Sequence, residues 1–222
     1  MLPEDGSVHW RPRLVIGLGC AALALSACRV LLPDPEGLVE PAAGDPGRRD
    51  GRPPDAPRPH DSQCAPVLLT FGATADTTLD SQFPSTNYGS DPKLQVDSAY
   101  PVQSLIRFEV AGISGPAARV QVRLNVTNAT VDGPEFYATS SSWLESAVTW
   151  NTRPPPTGPL LANLGQTNLG DVTVDLGGAV KGNGPFTLLL APNSDDAVDF
   201  QSRETSNGPV LLVTACRPPD AR

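Results

Sequence analysis

Few side chains of this chain could do chemistry, and their types exclude more than they offer. Both histidines, His9 and His60, precede Cys64, so the stretch from Cys64 to Cys216 holds no imidazole. A Ser-His-Asp or Cys-His nucleophile is excluded there, because neither hydroxyl nor thiol would have its base. Glu145, Asp199 and Glu204 stand in motif-like strings. A glycosidase needs two such carboxyl groups at a defined separation, one with a raised pKa. The plainer reading joins Arg203 to Glu145 in an ion pair that fixes loops, and no enzyme is expected. Asp76, Asp80, Asp91 and Asp97 place oxygen donors around Asn87-Tyr88-Gly89. No cofactor is expected; calcium is the alternative to weigh, with Asp76, Asp80 and Asp91 as its ligands. The expected reading is that aspartates in turns bond their own backbone, and the spacing matches no EF-hand. Trp143 and Trp150 are expected to anchor loops into a core, with stacking on a sugar ring as the alternative. Tyr88 and Tyr100 lie in turn-rich stretches and are expected at the surface, with Tyr137 a further candidate.

Charge narrows the partners. The 222 residues carry 16 Lys and Arg against 24 Asp and Glu, a formal charge of −8. A polyphosphate partner requires clustered cations, so nucleic acid is not expected. No Gly-rich phosphate loop precedes a helix pattern either.

The cysteines divide by position. Arg11 and Arg13 precede an apolar run from Leu14 to Ala27, the length of a signal segment and too short to span a bilayer comfortably. It ends Leu25-Ser26-Ala27-Cys28, which resembles the bacterial lipobox. That resemblance implies a lipoprotein signal peptide over residues 1–27, cleavage before Cys28 and transfer of a diacylglyceryl group to its thiol. An ordinary signal peptide cut near Ala27 is the alternative. The expected location is extracellular, at the surface of a bacterial membrane and held there by lipid alone. Residues 28–63 are rich in Pro, Gly, Asp and Arg, cannot bury enough apolar area to order themselves, and read as a disordered spacer. Cys20 falls in the signal, which leaves Cys64 and Cys216 at the two ends of the remaining sequence. In an oxidising compartment they are expected to form a disulfide, with two free buried thiols as the alternative. Residues 217–222 form a tail.

Between those cysteines the side chains alternate with period two. Val120, Val122, Leu124 and Val126 face one way, and Arg119, Gln121, Arg123 and Asn125 the other. Ile106, Phe108 and Val110 repeat the rule, as do Val172, Val174 and Leu176. The apolar runs Val67–Phe71, Phe186–Leu190 and Val210–Val213 read as strands buried on both faces or at a sandwich core. Asn87-Tyr88-Gly89, Asp132-Gly133-Pro134, Gly182-Asn183-Gly184 and Asn207-Gly208-Pro209 supply positive φ or preset turns. About ten short strands so punctuated predict an all-β fold, an antiparallel β-sandwich of jelly-roll type with its first and last strands adjacent.

Five strings occur in order: Asn87-Tyr88-Gly89, Leu94-Gln-Val96, Leu105-Ile-Arg-Phe-Glu-Val110, Trp143-Leu-Glu-Ser-Ala-Val-Thr-Trp-Asn151 and Val198-Asp-Phe-Gln-Ser-Arg-Glu204. Together they resemble the DNRLRE domain, also classed as carbohydrate-binding module family 96, over roughly Ala73 to Thr214. The resemblance implies a non-catalytic β-sandwich that binds a polysaccharide, alginate for some members. A polyuronate site should present cations near aromatic platforms. From Cys64 to Cys216 there are 7 Lys and Arg against 14 Asp and Glu, a balance of −7. Any such site must therefore gather its cations locally, for instance Lys93 with Arg107 or Arg203. The candidate ligand-binding residues are Tyr88, Lys93, Tyr100, Arg107 and Arg203. A neutral glycan remains an open ligand, and a structural or adhesive module is the alternative function.

Overall fold

The computed structural model describes residues 64–217. The expected signal segment, Cys28, the spacer and most of the tail lie outside the described residues. Ten antiparallel strands follow one another: β1 (Pro66–Asp80), β2 (Lys93–Val96), β3 (Val102–Val110), β4 (Arg119–Asn128), β5 (Glu135–Thr139), β6 (Pro156–Asn163), β7 (Gly170–Asp175), β8 (Gly184–Ala191), β9 (Val198–Gln201) and β10 (Val210–Cys216). The one helical element among the described residues is a 3-10 turn, Trp150–Thr152.

The strands form a hydrogen-bonded path, β2-β9-β4-β10-β1-β3-β8-β5-β6, with β7 on the other edge of β4. The path folds into two layers because β1 belongs to both. Pro66–Gly72 pairs with β10, whereas Ala73–Asp80 pairs with β3. The change of partner coincides with a register shift between Ala73 and Ala75, where Thr74 is the extra residue. Such a bulge bends a strand and lets it pass from one layer to the next. The first layer holds β2, β9, β4, β7, β10 and the start of β1; the second holds the end of β1, β3, β8, β5 and β6. From β2 to β5 the chain alternates between layers, as the jelly-roll expectation requires.

The predicted alternation builds the core. Val120, Val122, Leu124 and Val126 are buried between the layers against Ile106, Phe108, Val110 and Phe200. Burying a side chain of this size contributes roughly 1.5–3 kcal/mol. The uninterrupted apolar runs behave differently from one another. Thr187–Leu190 is buried on both faces, but in Val67–Phe71 Leu68 is 63% exposed while Leu69 and Phe71 pack inward. Val210–Val213 also alternates. The outer face of the first layer is open to solvent there, whereas that of the second layer is roofed by residues 140–155. Beneath that roof Trp143 and Val148 cover Ala75, Leu79, Leu105 and Leu189 as a second, smaller core, with Trp150 packed at its margin. The tryptophans are thus loop anchors, as their types predicted.

Of the glycines in the four predicted turn strings, Gly184 has a positive φ, at 119°. Gly89 and Gly208 are required for another reason, close approach. A Cβ on Gly89 would lie 2.2 Å from the Glu145 carbonyl oxygen, and one on Gly208 would lie 2.8 Å from Arg203 Cα. The first packs the Asn87–Gly89 turn on the Glu145 segment, and the second folds the β9–β10 loop tightly on itself.

Cys64 and Cys216 form the expected disulfide, with Cα atoms 5.6 Å apart across 152 residues of sequence. Pro66 pairs with Cys216, so the bond reaches diagonally from just before β1 to the last residue of the β1–β10 ladder. Reduction, or Cys64→Ser with Cys216→Ser, should lower unfolding free energy by about 2–5 kcal/mol in urea titrations. An unchanged midpoint would contradict this account of the clasp.

Candidate functional site

Two groups of polar side chains stand out, one at the β1 crossover and one on the roofed face of the second layer. At the crossover β9 and β10 lie end to end along β4, and the loop between them carries Arg203 and Glu204. Arg203 donates from Nε and Nη2 to the two carboxylate oxygens of Glu145, each at 2.6 Å, and approaches Glu204 at 3.2 Å. Its backbone N–H donates to Asp76 Oδ2 at 2.8 Å, while the Asp76 N–H donates to Glu145 Oε1 at 2.7 Å. The Asn87 side-chain amide donates to the carbonyls of Glu145 and Val148, each at 2.7 Å. The Ser202 hydroxyl donates to the Asp91 carbonyl at 2.6 Å. Four sequence-distant segments are thereby fastened where β1 changes layer.

This is the ion pair predicted between Arg203 and Glu145, and its geometry is that of a clamp. A bidentate guanidinium–carboxylate pair is strong and directional. With both fork nitrogens on Glu145, Arg203 has little left to offer a ligand. Asp76 is buried, and burial, assisted by the neighbouring charges of Glu204 and Glu145, raises its pKa to about 7 against the opposing Arg203 contacts.

The second group lies on the roof of the second layer. Arg107, outward on β3, sets its guanidinium 4.9 Å from the Trp143 ring centroid. Nη1 donates to the Trp143 carbonyl at 2.8 Å and, more weakly, to that of Ser141 at 3.4 Å. Nε and Nη2 make no hydrogen bond among the described residues, and no carboxylate of those residues pairs with Arg107. The residue opens into a cleft of about 540 Å³ lined also by Ser142, Leu144, Ala147 and Thr152. Leu144 is 69% exposed at its rim. Such a cleft can hold a small polar ring and present it to an oriented cationic fork.

The other sequence-predicted residues fall elsewhere. Lys93, on β2 at the edge of the first layer, is 3.2 Å from Asp199 Oδ2. Tyr100 is 60% exposed in the β2–β3 turn. Tyr88 is half-buried near Asp80 and Asp91; burial first, then those charges, raise its phenol pKa. Tyr137 donates to Glu135 at 2.6 Å. No contact joins Lys93, Arg107 and Arg203 into one cluster, because Lys93 answers Asp199 of β9 and Arg203 answers Glu145 of the 140–155 segment. Asp76, Asp80 and Asp91 also stay apart. Asp76 accepts from Arg203, and Asp80 accepts from the Gln82 N–H at 2.7 Å within its own turn. Among the described residues no three His, Cys, Asp or Glu side chains gather as an ion-holding set.

Sequence reasoning passed over Arg153. Its guanidinium lies 3.5 Å from the Trp150 ring centroid, and Nε donates to Gln103 Oε1 at 3.0 Å. The signal available was its position three residues after a tryptophan of the identifying string, followed by Pro154-Pro-Pro156.

Residues 68–215 match the family model of carbohydrate-binding module family 96. No curated protein matches the chain.

The crossover cluster has a pH signature. Between about pH 4 and 7 the unfolded chain ionises Asp76 while the folded chain keeps it protonated. The native state then holds the extra proton, so stability contributed by Asp76 falls as pH rises through this window and levels off above it. The expected change is on the order of a few kcal/mol. Urea unfolding of Asp76→Asn from pH 4 to 8 should show a smaller decline than the parent; parallel curves would refute the assignment.

Proposed function

This chain belongs to carbohydrate-binding module family 96, and on that footing we propose that its polysaccharide ligand is acidic and is gripped in the Arg107 cleft. The domain is a non-catalytic carbohydrate-binding module. The finer reading, of an alginate-like polyuronate, rests on one observation. In a domain whose charge is −7 over Cys64–Cys216, Arg107 keeps a bidentate edge free of any carboxylate among the described residues. Trp143 holds the guanidinium plane from one side, and its carbonyl fixes one nitrogen. The remaining Nε and Nη2 hydrogens match the two oxygens of a uronate carboxylate. Ser142 lines the cleft and brings a hydroxyl for a ring oxygen, whereas the Thr152 hydroxyl is engaged with Thr149. Little ordering is needed on binding, because the fork is already oriented.

Arg107→Gln keeps a polar group but removes the charge and the fork. It should weaken binding to a polyuronate by about 1.5–3 kcal/mol, roughly ten- to a hundredfold. Affinity electrophoresis through polyuronate and neutral glucan gels reads this directly. Equal retardation by both polymers, unchanged in the variant, would sink the acidic-ligand reading.

We further propose that the module is displayed at a bacterial cell surface by acylation of Cys28. The support is the Leu25-Ser26-Ala27-Cys28 string and the Pro-rich stretch that follows it. A diacylglyceryl group on the thiol brings two acyl chains, which give stable anchoring where a single chain does not. Cys28→Ala should move the protein from the membrane fraction to the soluble one in a bacterial host. Continued membrane association of the variant would count against the anchor.

A further inference from the structure

We propose a second ligand-binding position centred on Arg153, so that one acidic chain is held at two points on the roof of the second layer. This rests on the Arg107 reading and specifies the minimum length of its ligand. Arg153 repeats the Arg107 arrangement. Each guanidinium lies over an indole, Arg107 on Trp143 and Arg153 on Trp150. Each donates from Nη1 to the carbonyl of the same tryptophan it covers. Arg153 adds an Nε donor to Gln103 Oε1, which leaves Nη2 without a partner among the described residues. No carboxylate of those residues pairs with it. It lines a separate hollow of about 310 Å³ with Gln103, Leu189 and the Pro154–Pro156 run. The proline wall is stiff before any ligand arrives, which lowers the ordering cost of binding.

The two hollows share one frame. Gln103 and Arg107 project from the same face of β3 four residues apart, about 13 Å along a strand. Thr152 lines the first hollow and the adjacent Arg153 the second, so they flank the Trp150–Thr152 turn. That separation exceeds a single pyranose ring. Two cationic donors so spaced select a polymer with repeated carboxylates over a short acidic sugar, because the second contact forms at high effective concentration once the first is made.

Calorimetry on the full chain tests this with 1,4-linked oligouronates of two and six sugars and their carboxyl-reduced counterparts. The parent protein should bind the hexamer at least about tenfold more tightly than the dimer. Arg153→Gln should collapse that ratio toward one. Gln103→Ala, which releases the Arg153 Nε without touching the Trp150 stack, should alter the ratio as well and covers the case in which Arg153→Gln fails to fold. Thermal melts identify that case. A length ratio unchanged in the folded variants overturns the second position while leaving the Arg107 cleft intact, provided Arg107→Gln still weakens both oligomers. Failure of the parent to bind either oligouronate, or equal binding of the reduced forms, overturns the acidic-ligand reading and this inference together.

Discussion

A strand shared by two sheets must change hydrogen-bonding partner at some residue, and the backbone groups near that residue need other partners. In this domain the change falls between Gly72 and Ala75 of β1, and the constraint reaches far beyond the strand. The Ala73 N–H donates to the Pro209 carbonyl, the Thr74 hydroxyl to the Arg107 carbonyl, and the Asp76 N–H to Glu145. Buried backbone donors left unpaired would cost about 1–3 kcal/mol each. Two loops distant in sequence are drawn to the edge of β3, and together with that strand they supply these acceptors. The Glu145–Arg203–Asp76 group is the product, and it explains why so many charges sit in a module that performs no proton transfer.

The same group sets the roof over the second layer. Glu145 lies between Trp143 and Val148, both of which are buried on Leu105 and Leu189. Tying Glu145 to the crossover holds this segment flat against the sheet, and Ser141 Oγ at 2.9 Å from Thr187 Oγ1 secures its start. The segment then becomes one wall of the Arg107 cleft. Rigidity in the wall and orientation of the arginine thus arise from a charge cluster that faces another direction. A carboxylate that clamps and a guanidinium left free of carboxylates are separate parts of one arrangement.

The sandwich, its inward residues, the clasp of Cys64 to Cys216 and the Arg203–Glu145 pair were legible in the sequence because each depends on residue type and local period. Val120 to Val126 shows this directly, since alternation alone assigns the buried face. What could not be read was which outer face would be covered. Val67–Phe71 and Phe186–Leu190 are equally apolar strings, yet one alternates and the other is enclosed, because the roof is built from residues far away in the chain. Gly89 and Gly208 looked like turn residues but serve close packing, a property of the neighbour rather than of the glycine. Lys93, Arg107 and Arg203 are equivalent as cations in the sequence. Only the positions of Asp199, Trp143 and Glu145 distinguish the engaged from the available.

The joined ends of the fold carry a mechanical consequence. With Cys64 and Cys216 bonded and their Cα atoms 5.6 Å apart, polypeptide entering and leaving the domain does so at a single place. Tension along the backbone is borne by the covalent sulfur bridge and bypasses the strand ladders altogether. The sandwich then hangs as a pendant outside any load applied to its two joined ends.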